Sequence, residues 1–282
     1  MDITAGDVKK LRERTGAGML DCKKALTEAE GDFAKAEKIL KEMGLAAATK
    51  RSGRATNEGR VFTRVERSAA GLLEVSCETD FVARNDEFIA FGTEALKQIV
   101  DKKLTGLTPE LSEKVAGIIG RIKENITLRR FKIMTLDASE MVVDYLHGEG
   151  TIGVLVKLRA EKPDLLADER VKAFAFDCAL HIAAFNPMFL KRENVDPAYL
   201  REQEEIFTKQ TESLNKPANV REGIVKGKIN KHLSEICLLQ QPFVKDDKQS
   251  VSQVMDKLVK EVGGKIEIVD YLYFRTGEEL AS

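Results

Sequence analysis

Tryptophan is absent from the 282-residue chain, and histidine, cysteine and proline occur only three, four and six times. The cysteines, Cys22, Cys77, Cys178 and Cys237, are far apart in the sequence and form no CxxC pair. This spacing predicts neither a zinc knuckle nor a disulfide framework. Isolated cysteines of this kind are typical of a reducing cytoplasm, which is where we expect the chain to act.

Charge of one sign and long apolar runs are also missing. The 45 basic and 46 acidic side chains give a net charge of −1, so the chain has no global basic field that would attract nucleic acid. No apolar run approaches the length of a membrane span. Residues 1–7 lack both a basic region followed by an apolar stretch and an arginine-rich transit pattern. We therefore expect no direct nucleic-acid partner and no membrane association.

The motifs of nucleotide binding and covalent catalysis are missing as well. No GxxxxGK(S/T) loop occurs, and the GxGxxG match at residues 148–153 precedes an aliphatic strand instead of the helix that a dinucleotide site requires. Cys178 and His181 could form a nucleophile and base, but their helix is so apolar that we interpret His181 as a core-edge residue. We find no metal-ligand cluster. The sequence therefore predicts no enzyme, no metal site and no cofactor.

The two other histidines lie in polar surroundings. His232 lies near Lys231 and Glu235 on the predicted hairpin, and we interpret it as solvated. His147 ends a predicted strand beside a glycine-rich turn, where it could either pack or face a partner. The sequence leaves both interpretations of His147 open.

The N-terminal 44 residues have the apolar spacing of three short helices. The first helix is predicted over about Ala5–Arg14, where Thr4 as N-cap and Asp7 three residues later resemble a capping box. The second helix is predicted to end at Gly31 and the third at Gly44, because glycine commonly ends helices. We therefore expect a small three-helix bundle with a thin core.

The rest of the chain contains an internal duplication. In each half a β-hairpin is followed by one or two helices and then by a strand that returns to the sheet. The first half has predicted strands at Val61–Glu66, Leu72–Glu78 and Phe131–Leu136 and helices at Asp86–Lys102 and Pro109–Asn125. The second half has strands at Met141–Leu146, Thr151–Arg159 and Lys265–Arg275 and a helix at Asp168–Phe185. Each half should pack its helices on one face of a small antiparallel sheet, so the predicted fold class is α+β.

An insertion interrupts the second half. Asp196–Asn215 and Val220–Cys237 are polar segments with narrow apolar stripes, which predict an antiparallel helical hairpin that serves as a spacer or an oligomer contact. The predicted divisions are a bundle over residues 1–44, a linker over 45–59, a first core half over 60–140, a second core half over 141–186 and 241–282, and the hairpin over 187–240.

The run TDFVARN at residues 79–85 lies between a predicted strand and a predicted helix. We expect it to form a short loop that presents Phe81. From the residues alone, Phe81 could be folded back into the core of its own half, or it could be exposed for contact with a partner. The motif itself does not distinguish these interpretations.

Several motifs occur together in an order that matches one known family. They are the segment Ile3–Leu26, TDFVARN at residues 79–85, Glu124-Asn125-Ile126 with Arg129-Arg130, His147-Gly148 with Ile152–Val156, and Gln241–Val244. From residue 3 to about residue 275 the chain thus resembles the bacterial elongation factor Ts family. The first two motifs are long enough to be highly specific.

The resemblance implies that the chain promotes guanine-nucleotide exchange on the GTPase elongation factor Tu during translation elongation. It also implies a bundle that is similar to a ubiquitin-associated fold, and a homodimer that forms through the hairpin. The implied partner-binding residues are Thr79, Asp80, Phe81 and Val82, in a loop that disturbs the partner's Mg²⁺ and phosphate site, together with Arg12, Met19, Leu20 and His147.

Other interpretations stay open beside this one. Met19 and Leu20 could simply close the small bundle. The alternative function is a non-catalytic protein-binding module without exchange activity, while an RNA-binding translation factor is disfavoured by the near-neutral charge. Some members of the family continue with a further helical module that embraces the partner. Because this sequence ends at Ser282, we do not expect that contact here.

Overall fold

A computed structural model describes residues 3–214 and 216–280. Asn215, the predicted end of the first hairpin helix, and Ser282, the end of the second core half, lie outside the described residues. The helices are α1 (Ala5–Thr15), α2 (Met19–Glu28), α3 (Phe33–Arg51), α4 (Asp80–Ala83), α5 (Asp86–Asp101), α6 (Pro109–Ile122), α7 (Glu169–Phe185), α8 (Pro197–Glu212), α9 (Ala218–Ile236) and α10 (Val251–Val262). The strands are β1 (Glu58–Val65), β2 (Ala69–Cys77), β3 (Thr127–Thr135), β4 (Glu140–His147), β5 (Ile152–Ala160), β6 (Pro242–Phe243), β7 (Asp246–Ser250) and β8 (Ile266–Arg275).

Each half of the core is built on a three-stranded antiparallel sheet, which confirms the predicted α+β class. The central strand is β2 in the first half, between β1 and β3, and β5 in the second half, between β4 and β8. Every residue of β2 is buried because both faces of this strand are covered. Leu73 packs with Phe88 of α5, whereas its neighbour Leu72 packs with Leu155 and Phe274 of the second sheet.

The two halves are joined by close packing and by a buried charge. Gly153 of β5 lies so near the first sheet that a Cβ atom there would overlap the side chains of Val61 and Leu72. Glu74 of β2 is fully buried. Its carboxylate accepts hydrogen bonds from Arg129 Nη1 at 2.9 Å, Arg130 Nε at 2.6 Å and the Gly277 N–H at 3.0 Å. These bonds tie the centre of the first sheet to the segment that follows β8.

The N-terminal bundle begins as predicted. The Thr4 hydroxyl accepts a hydrogen bond from the Asp7 N–H at 3.2 Å, and the Asp7 carboxylate accepts one from the Thr4 N–H at 3.1 Å, completing a capping box. Val8 and Leu11 of α1 pack with Cys22, Ala25 and Leu26 of α2 in a small core.

The predicted end of α3 at Gly44 is wrong, because the helix continues to Arg51 and takes in the first part of the predicted linker. Gly44 is buried where α3 crosses α6. A Cβ atom at Gly44 would lie 3.1 Å from the carbonyl oxygen of Ala116, and one at Gly120 would lie 3.3 Å from the Gly44 Cα. The small size of Gly44 thus allows two helix backbones to approach, and this glycine does not end the helix.

The inserted hairpin is present, with α8 and α9 packed against each other. At its base, the Leu238 N–H donates to the Phe189 carbonyl at 2.8 Å, which brings the two ends of the insertion together. The interpretation of His232 as solvated is wrong. His232 is half-buried, its ring stacks on Tyr199, and its Nε2 lies 2.8 Å from the Tyr199 hydroxyl.

Two elements of the second half were not predicted: the short β6–β7 hairpin and helix α10. The sequence carried a signal for α10, because Ser250 and Gln253 form a capping box and Val251 and Leu258 lie on its buried side. This amphipathic helix covers part of the second-half core. In the parts of the chain that the structure describes, no helix combines the length and apolar character that a membrane span requires.

His181 is deeper in the protein than the predicted core-edge position. It is fully buried, its Nε2 lies 2.9 Å from Gln241 Oε1, and its Nδ1 accepts a hydrogen bond from the Val244 N–H at 3.2 Å. The ring is therefore neutral with its proton on Nε2. Burial raises the pKa of the Cys178 thiol far above its ordinary value. Both ring nitrogens of His181 are hydrogen-bonded to other residues. Cys178 and His181 therefore do not have the features of a nucleophile and its base.

This arrangement predicts a pH-dependent stability. Desolvation lowers the pKa of His181 below its ordinary value of 6.5, so the unfolded chain binds a proton that the folded chain excludes. The stabilisation is fully present above pH 6.5 and is lost as the pH falls through that value, by at most about 1.4 kcal/mol per pH unit. Urea unfolding from about pH 7.5 to about pH 5.5 measures this slope. His181→Asn should flatten it, and an equal slope in that variant would contradict the assignment.

Candidate functional site

Phe81 lies on a single helical turn and points away from the protein. The turn α4 packs its Ala83 side into the first-half core, and Val82 is partly buried beside it. Phe81 occupies the opposite side and is 82% exposed. The interpretation that folds Phe81 back into the core is therefore wrong. Phe81 is therefore a large apolar side chain that a capped turn holds in water.

The turn that carries Phe81 is fixed at its beginning. Thr79 is the N-cap, and its hydroxyl oxygen accepts a hydrogen bond from the Val82 N–H at 3.3 Å. Asp80 lies in the first turn, where its negative charge interacts favourably with the positive N-terminal end of the helix dipole. Asn85 then caps α5 by accepting from the Glu87 N–H at 2.8 Å. TDFVARN therefore encodes one capped turn followed by a second helix start, rather than an irregular loop.

His147 lies at the end of β4, beside this turn. Its side chain is exposed, and its Nδ1 lies 3.0 Å from the Tyr145 hydroxyl. The turn that follows contains Glu149, which has a left-handed φ of 56° and lies with its Oε2 3.5 Å from Arg84 Nε. Arg84 follows α4 directly, so this ion pair connects the Phe81 turn with the His147 turn. Ile152 begins strand β5, in agreement with the rejection of a nucleotide site.

Three other predicted contact residues are exposed on the bundle. Arg12 is exposed on α1, and Met19 and Leu20 at the start of α2 are 47% and 84% exposed. The interpretation in which Met19 and Leu20 close the bundle is therefore wrong, because Leu11 and Leu26 fill that role. We call Arg12, Met19 and Leu20 the bundle patch.

The bundle is attached to the core through α6. The Lys123 ammonium lies 2.7 Å from the Asp21 carboxylate, and Arg51 Nε donates to the Lys123 carbonyl at 3.0 Å. Lys41 pairs with Glu113 at 3.0 Å farther along the same helix. These bonds and the Gly44 crossing attach the bundle to the first half of the core.

Two polar residues near Phe81 were missed in the sequence. Glu124 accepts hydrogen bonds from the Thr79 backbone and side chain, and Arg84 links the two turns. Glu124 and Arg84 both belong to motifs that carry the family resemblance, but no local sequence pattern indicates what their side chains contact.

A groove with a volume of about 1260 Å³ lies between the bundle and helices α5 and α6. It is lined by charged side chains of both signs, including Arg14, Glu87, Glu94, Lys114 and Arg121. The walls of the groove are therefore charged. Within residues 3–214 and 216–280, no three or more His, Cys, Asp or Glu side chains group closely enough to hold a metal ion.

Known proteins resemble this chain along its length. The family described as Elongation factor TS matches residues 78–278. Elongation factor Ts of Treponema denticola is 50% identical over 277 residues, which cover 98% of this chain and 99% of the relative. The proteins of the same name from Borreliella burgdorferi and Borrelia hermsii are 49% and 47% identical, again over 98% of this chain and over 99% and 100% of the relatives.

The position of Phe81 makes a prediction about stability. Phe81→Ala should change the free energy of unfolding by no more than about 0.5 kcal/mol, because the ring makes few contacts with its own protein. Phe88→Ala is the matched control. Phe88 is fully buried seven residues later, and its loss should cost about 3–5 kcal/mol. Urea unfolding of both variants provides the comparison, and a similar loss in each would place Phe81 in the core.

Proposed function

The chain belongs to the elongation factor Ts family, and we propose that it is a guanine-nucleotide exchange factor for the GTPase elongation factor Tu, acting in the cytoplasm. The observation that supports this proposal most directly is Phe81, a large apolar side chain held in water by a capped turn. The proposed activity requires no chemistry by the chain itself. It acts by binding and is not an enzyme.

The physical task of an exchange factor is to weaken a tightly held nucleotide without competing for its pocket. Mg²⁺ requires near-ideal octahedral geometry, so a small displacement of the elements around it weakens its binding. In this proposal, Phe81 inserts into the GTPase near the partner's ion, and Asp80 is the polar companion that helps to set the turn. Thr79 and Val82 flank them, and His147 contacts the partner from the adjacent turn.

The bundle patch supplies a second anchor in the proposal. Coupling between two ligands is reciprocal, so the factor by which this chain weakens GDP binding also weakens its own binding to the GDP-bound partner. A 1,000-fold effect corresponds to about 4 kcal/mol. The exposed Met19 and Leu20 provide apolar surface away from the insertion point that can supply part of this energy.

A GDP-release assay tests this division of roles. Phe81→Ala should lower the maximal rate at which the chain stimulates release of fluorescent GDP from elongation factor Tu, because the insertion is lost. Leu20→Ala should instead raise the concentration needed for half-maximal stimulation. Leu107→Ala is the control. Leu107 is 58% exposed just before the start of α6, and its substitution should leave both quantities unchanged.

Chelation of Mg²⁺ gives a further readout in the same assay. When the ion has been removed, the advantage of the wild-type chain over Phe81→Ala should shrink. A chain that binds elongation factor Tu without accelerating GDP release would be the non-catalytic binding module instead. Full stimulation by Phe81→Ala would rule out the proposed insertion.

We also propose that the chain forms a homodimer through the hairpin of α8 and α9. Three apolar side chains are exposed on the surface of the hairpin: Ile206 at 39%, Leu214 at 40% and Val220 at 42%. Ile229, which the apolar stripe of the second hairpin helix also contains, packs inside the hairpin and is not part of this surface. Because the ends of the insertion meet at Phe189 and Leu238, a short linker can replace residues 190–236. Light scattering should show less dimer for this deletion, with exchange retained, whereas an unchanged dimer would exclude the hairpin.

A further inference from the structure

Glu124 lies just after the end of α6 and reaches the two residues before Asp80. Its Oε2 accepts hydrogen bonds from the backbone N–H groups of Glu78 and Thr79, each at 3.1 Å. Its Oε1 accepts a third from the Thr79 hydroxyl at 2.7 Å. Strand β2 ends before these N–H groups and helix α4 begins after them, so neither element supplies their acceptors.

Thr79 transmits this contact to the helical turn. Its hydroxyl hydrogen is donated to Glu124, so a lone pair of the same oxygen is available to the Val82 N–H at 3.3 Å. Phe81 lies between these two bonded residues. The carboxylate thus orients the N-cap that holds the turn carrying Phe81.

Glu124 is itself held in place by its neighbours. Lys123 ends α6 in a left-handed conformation with a φ of 70°, and its carbonyl accepts from Arg51 Nε at 3.0 Å. On the other side, the Asn125 N–H donates to Glu78 Oε1 at 2.6 Å. Residues 78–79 and 124–125 therefore bind each other through four hydrogen bonds.

We propose that Glu124 is a positioning residue for nucleotide exchange, which holds α4 so that Phe81 projects into the partner. The inference rests on the proposed function and adds a residue to it. An exposed phenylalanine is driven to cover itself on apolar surface of its own protein. Moving the turn in that direction would break charge-assisted hydrogen bonds to Glu124, which are stronger than neutral ones. Glu124 acts through Thr79 and needs no contact with the GTPase.

Substitutions at Glu124 should mainly affect the maximal rate of stimulated GDP release. Glu124→Ala removes every acceptor and should lower this rate by about tenfold, equivalent to about 1.4 kcal/mol. The half-maximal concentration should change little, because the bundle patch is intact. Glu124→Gln keeps one carbonyl oxygen and should lose less. Glu110→Gln is the matched control, since Glu110 is an exposed partner of Lys102 at the other end of α6 and should behave as wild type.

A double-mutant cycle distinguishes positioning from a general structural role. If Glu124 acts through Phe81, adding Glu124→Ala to Phe81→Ala should cause no further loss of rate. Losses that multiply would contradict the proposal. Amide hydrogen exchange of the free chain provides a readout without the partner. Glu124→Gln should speed exchange at Thr79 and Val82 while the melting temperature is retained, and unchanged protection at both amides would also contradict it.

The outcomes separate this inference from the function on which it rests. If Phe81→Ala leaves GDP release unchanged, the proposed insertion is wrong. If Phe81→Ala slows release but folded Glu124→Ala and Glu124→Gln do not, only the positioning role is wrong. Should Glu124→Ala fail to fold, the rate and amide protection of Glu124→Gln decide the question.

Discussion

Keeping one large apolar ring in water is the constraint on which the proposed site depends. The hydrophobic effect favours collapse of Phe81 onto the protein, so the backbone beneath it must be fixed by other contacts. Ala83 anchors the inner side of the turn in the first-half core, and Thr79 caps its beginning. Strand β2 leads into the turn and is buried along its length, so the turn starts from a closely packed base.

The duplicated core places a second turn beside the first. The buried Glu74 and the glycine contact at Gly153 hold the two sheets together, and the ion pair of Arg84 with Glu149 joins the Phe81 turn to the His147 turn. The Phe81 turn follows the second hairpin strand of the first half, whereas the His147 turn joins the two hairpin strands of the second half. Neither half alone contains both, which gives the internal duplication a role in the proposed contact surface.

Elements with local causes could be predicted from the sequence. The capping box at Thr4, both core hairpins and the helical insertion have residue patterns within a few positions of one another, and the structure contains them. The family also follows from contiguous motifs. Helix α10 belongs to this class too, because its capping box at Ser250 is visible in the sequence although it was not predicted.

Features that depend on packing were decided only by the tertiary structure. The sequence of the motif around Phe81 is compatible with a buried or an exposed ring. The burial of Ala83 on the inner side of the turn is what directs the Phe81 ring into the solvent. Gly44 looks like a helix end, yet the crossing with α6 uses its small size within a continuing helix. Glu124 meets Thr79 across 45 positions of sequence. Such contacts arise from how whole elements pack together, so no local pattern encodes them.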